Sequence, residues 1–65
     1  MIIKINNFNI PENLKGMIAI YYCTMTNSYE IVTTYEKHII YKHNADAEKR
    51  VQAYIDIMAV IREIE

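Results

Sequence analysis

Apolar and polar positions keep a helical period over only one segment of the chain, 44–65. Stepping residues by about 100° places Ala47, Val51, Tyr54, Ile55, Met58 and Ile61 on one face. A second apolar stripe runs beside it, Ala53, Ile57, Val60 and Ile64, and leaves only a narrow polar arc (Glu48, Lys49, Gln52, Asp56, Glu63). Asn44 is the expected N-cap, its side-chain oxygen being able to accept from first-turn amides. Asp46 and Glu48 suit the positive end of the helix dipole and Arg62 the negative end. A surface helix needs an apolar stripe little wider than about 100°. Here one stripe is enough to cover a sheet, and the second is expected to meet a partner rather than the loop 8–14.

Upstream the pattern is that of short strands. Ile2, Ile3 and Ile5 open a first one, rich in β-branched residues. Pro11 and Gly16, the only examples of each, predict one helical turn and a chain reversal. The run 17–26 is the longest strand candidate, Asn27-Ser28 a tight turn, 29–35 the return strand, and 39–43 the last strand after a reversal at Glu36-Lys37. A two-residue turn would set Tyr22 opposite Thr33 and Ile20 opposite Tyr35. Ile18, Ile20, Tyr22 and Ile31 then face the helix. Ile39 and Tyr41 join them if the last connection has odd length, since a one-residue slip exchanges faces. The opposite face would carry Met17, Ala19, Tyr21, Cys23, Met25, Val32 and Ile40 beside Glu30, Thr34 and Lys42. The predicted fold is α+β: one domain, 1–65, with a small antiparallel β-meander of three to four strands packed by one C-terminal α-helix.

An outer sheet face left to solvent should be polar; this one is more than half apolar. Helix and sheet therefore each present an apolar face too many. With 65 residues and 52% hydrophobic content, a lone domain has little core in which to hide them, and oligomerisation is a usual remedy at this size. Candidate interface residues are Tyr21, Met25, Val32 and Ile40 on the sheet and Ile57, Val60 and Ile64 on the helix. The six tyrosines strengthen this reading, because tyrosine pairs apolar area with a polar tip at interfaces.

Charge and chemistry narrow the remaining classes. Net charge is −1. Residues 1–43 carry four lysines against three glutamates, +1; residues 44–65 carry three basic against five acidic side chains, −2. Neither half offers the cationic footprint that nucleic acid demands. Single Cys23 excludes an intrachain disulfide, and with two histidines there is no ligand set for structural zinc. His38 and His43, five apart, point to opposite faces of a strand. Ser28 has no neighbouring base, and Gly16 stands alone where a phosphate loop needs several glycines. No catalytic residues, metal or cofactor are expected.

The opening Met1-Ile2-Ile3-Lys4-Ile5 turns polar too soon for a signal peptide, and no run reaches the roughly 18 apolar residues of a membrane span. A cytoplasmic location is expected, host cytoplasm if phage-encoded. Small chains rich in Ile, Asn, Lys and Tyr suit the phages and mobile elements of AT-rich bacteria. The functional expectation is a protein-binding homodimer or higher oligomer, an inhibitor or adaptor of a larger host or defence protein. The rival expectations are a small-ligand or nucleotide-sequestering oligomer with a Tyr- and His-lined pocket between subunits, and then a nucleic-acid binder.

Overall fold

The structure, a computed structural model, describes residues 1–64. It is a four-stranded antiparallel sheet packed against one C-terminal helix. The strands β1 (Ile2–Lys4), β2 (Ile18–Cys23), β3 (Ser28–Thr33) and β4 (Lys37–Tyr41) lie side by side in chain order, and α1 (Ala47–Ile64) crosses one face. A single 3-10 turn, Glu12–Leu14, follows Pro11, and Gly16 takes φ +81° where the chain reverses into β2.

The core lies between sheet and helix. Ile20, Tyr29, Ile31 and Ile40 from the strands meet Ala47, Val51 and Ile55 from α1, with Leu14 of the 3-10 turn closing one end. Tyr29 stays satisfied in this core because its hydroxyl donates to Glu48 Oε1 at 3.0 Å. Burial and the neighbouring carboxylate together push the Tyr29 hydroxyl above the ordinary tyrosine range. The loop between β1 and β2 runs along one flank of the helix. Gln52 ties it there, accepting the Asn9 N–H at 2.9 Å and donating to the Asn9 carbonyl at 2.8 Å, while Asn13 Nδ2 donates to the Ala59 carbonyl.

Two registers differ from the sequence reading. The β2–β3 connection is the wider loop 24–27, so Tyr22 pairs with Tyr29 and Ile20 with Ile31. Asn27, at φ 52°, makes the reversal, and its side chain accepts the Tyr22 hydroxyl. The displacement is even, so the residues within β2 and β3 keep their expected faces. Between β3 and β4 the outcome is the reverse. Thr33 builds the turn: its hydroxyl oxygen accepts the N–H groups of Tyr35 and Glu36, and its own N–H donates to the Glu36 carbonyl. The resulting connection has even length. Tyr29 therefore pairs with Ile40 and Ile31 with His38. Ile40, expected outside, is in the core with 8% of its surface exposed, and Ile39 and Tyr41, expected inside, face outward.

The helix also starts later than expected. Arg50 N–H donates to the Asp46 carbonyl, so Asp46 rather than Asn44 holds the N-cap position, with φ 56°. Asn44 instead belongs to the turn after β4, its N–H donating to the Tyr41 carbonyl.

Candidate interaction surfaces

Along α1 the buried positions Ala47, Val51 and Ile55 define the core side, with Tyr54 and Met58 half-buried beside them. The second stripe faces solvent: Ile57 is 59% exposed, Val60 56% and Ile64 80%. Ile61, expected on the inner face, joins them at the helix margin. The β1–β2 loop packs on the Gln52 and Ala59 flank and leaves this stripe uncovered.

Under the C-terminal half of the helix lies a groove of about 340 Å³. Leu14, Met17, Met58 and Ile61 give it an apolar floor, and Tyr35 and Glu36 of the β3–β4 turn form its lip. Met17 precedes β2 and lines this groove rather than the outer sheet face assigned to it from sequence. Tyr54 forms one wall. Its ring stacks on His38, and its hydroxyl donates to Glu36 Oε1 at 3.0 Å. Burial, reinforced by that carboxylate, holds the Tyr54 hydroxyl above its usual range. Beyond Tyr54 the edge of β4 borders a second hollow, about 350 Å³, with Arg50, Ala53 and Ile57 above and His38 and Ile39 below.

On the other sheet face, cross-strand rows are set by the pairing. Ile2, Cys23, Ser28 and Tyr41 form one; Lys4, Tyr21, Glu30 and Ile39 the next; Ala19, Val32 and Lys37 the third. The helix lies on the opposite side and does not cover them. Tyr21 and Val32 are where the sequence placed them, half-buried by their neighbours. Met25 is not on this face; it sits in the β2–β3 loop, 87% exposed. Glu30 is the polar centre of the face, nearly buried among side chains and 3.5 Å from Lys37 Nζ. The face is thus a shallow apolar surface with one acid–base pair in it, and hydrogen bonds from the Thr26 hydroxyl and amide lower the Cys23 thiol below its ordinary range.

His38 belongs to the helix side of β4 and His43 lies in the following turn against Tyr41. Among the described residues no three His, Cys, Asp or Glu side chains come together as a metal site, and no helix is long and apolar enough to cross a membrane. No protein-family model, curated protein or solved structure matches the chain.

Proposed function

We propose that the protein is a small protein-binding module that assembles with itself and acts by occluding a surface of a larger protein, as an inhibitor or adaptor does. The observation that carries the reading is the exposed stripe Ile57, Val60, Ile61 and Ile64 running beside an apolar groove. Exposed apolar residues grouped in one contiguous patch, unlike ones scattered singly, mark interaction sites when the patch is large. The outer sheet face adds a second, flatter surface around Tyr21, Val32, Ile39 and Tyr41. Two such faces suit a module with one surface for its own kind and one for a partner. The phage-type, host-cytoplasmic setting is included in this proposal and rests on composition.

Substitution tests it directly. Val60→Glu and Val32→Glu each put a carboxylate on one exposed face without touching Ile31, Val51 or Ile55 of the core. The expected result is a folded variant that has lost assembly or partner capture. Two folded variants that keep the wild-type mass and partner would refute the reading.

A further inference from the structure

The backbone of β4 leaves an open edge on the sheet. The Lys42 N–H donates to the Asn27 carbonyl and the Thr33 N–H to the Glu36 carbonyl, both at 2.9 Å, at the two ends of the β3–β4 ladder. Antiparallel partners alternate between pairs that exchange hydrogen bonds and pairs that do not. In the observed register Ile40 and His38 therefore bond to Tyr29 and Ile31, while Lys37, Ile39 and Tyr41 turn their N–H and C=O groups away from the sheet. β4 is the last strand, and among the described residues no further strand lies beside it. One outward group is in use, the Tyr41 carbonyl, which accepts the Asn44 N–H at 3.1 Å and keeps a second lone pair. The edge contains no proline, one of the devices that blunt such edges.

We infer that β4 pairs antiparallel with the β4 of a second copy about a twofold axis at Ile39, joining two sheets into one of eight strands. The inference rests on the self-assembly reading above and moves the self-contact from the two apolar faces to the strand edge between them. The sequence of the edge is self-complementary in this register. Ile39 meets its own counterpart, Lys37 meets Tyr41, and Glu36 meets Lys42, each across the axis. Every outward N–H of Lys37, Ile39 and Tyr41 then finds an outward carbonyl. Shifting the axis by one residue to His38 sets Glu36 opposite Ile40 and leaves Tyr41 unpaired, and shifting it to Ile40 sets Lys42 opposite His38. The axis at Ile39 alone matches opposite charges and uses all three outward residues.

The helix side agrees. Among the strands, α1 packs chiefly against β4, and the 350 Å³ hollow between its Arg50, Ala53 and Ile57 and the β4 edge lies where the partner's strand would enter. A foreign strand could use the same backbone groups; a copy of this strand also sets Lys42 against Glu36 and the Tyr41 ring against Lys37.

Light scattering over a dilution series, with residue-resolved amide exchange on the same sample, tests the inference. The wild type is expected at twice the 7.7 kDa chain mass, with the Lys37, Ile39 and Tyr41 amides protected and losing that protection on dilution. Ile39→Pro removes an N–H that β3 does not use, so the variant should keep its circular dichroism and run as a monomer. Glu36→Lys should weaken assembly about tenfold by setting like charges opposite one another, and adding Lys42→Glu should restore it. A folded Ile39→Pro dimer, or fast exchange of those amides within a wild-type dimer, would overturn the edge pairing while leaving self-assembly standing through another face. Amide exchange on the wild type decides the matter should the proline variant not fold. A wild type that stays monomeric at every concentration would overturn both readings.

Discussion

The rings of His38 and Tyr54 lie parallel, 6° apart in orientation with centroids 4.3 Å apart. One comes from β4 and the other from the middle of α1, so this stack fixes the helix over the last strand. The Tyr54 hydroxyl continues the tie to Glu36 beyond the strand's start. Tyr54→Phe keeps the stack and removes the hydrogen bond, a loss of about 1 kcal/mol. Tyr54→Ala removes both and should cost about 2–3 kcal/mol, below the range of fully buried aromatics because the ring is half-exposed. Urea unfolding of the two variants separates the contributions.

Core and stripe should respond differently to truncation. Ile55 is wholly buried and Ile57, two residues on, is mostly exposed. Ile55→Ala is expected to cost about 2–5 kcal/mol, much of the stability available to a domain of this size. Ile57→Ala should change the stability of the isolated protomer by no more than about 0.5 kcal/mol. Thermal unfolding followed by circular dichroism measures both.

Alkaline pH should unfold the protein through its tyrosines. Tyr29 and Tyr54 both have folded-state values raised above the unfolded one, first by burial and then by Glu48 and Glu36 respectively. A raised value means that the native state holds the proton more tightly. The associated stability is complete below the unfolded tyrosine value of about 10 and is lost as pH rises through the folded value. Tyr29→Phe cannot ionise and should flatten that decline. Unfolding midpoints measured between about pH 8 and 11 give the comparison.

Gly16 isolates a purely backbone effect. A Cβ built there meets no atom within 4 Å, yet φ is +81°. Gly16→Ala should therefore destabilise by about 1 kcal/mol, because an L side chain resists this region whatever space surrounds it. Denaturant titration would detect the shift, and a variant as stable as the wild type would show that the reversal does not need glycine.

Element types were legible in the sequence because each had a clear period: about two along the strands and about 3.6 along 47–64. The inner helix face was legible for the same reason, down to Val51 and Ile55. The last strand was not. Ile39 and Ile40 are adjacent and equally apolar, so composition cannot say which of them points inward. The choice falls to Thr33, whose hydroxyl oxygen gathers two N–H groups and sets an even connection. A side chain acting on its own backbone leaves no periodic trace. The late start of α1 has a similar origin: Asp46 adopts a positive φ that its residue type tolerates but does not announce. Among the candidate surface residues, the helix members Ile57, Val60 and Ile64 followed from angle alone. Ile40 and Met25 depended on register and loop length, and those went the other way.

The plain sequential order of the strands, β1 to β4, has a kinetic consequence. Each strand is laid down beside the one made just before it, and α1 folds back on the strand it follows. Such topologies keep contacting residues near one another along the chain and fold fast, within about milliseconds. The proposed joining of two β4 edges into one sheet would require a collision between finished protomers. Refolding traces should therefore resolve into a rapid phase indifferent to protein concentration and a later one whose rate rises with it.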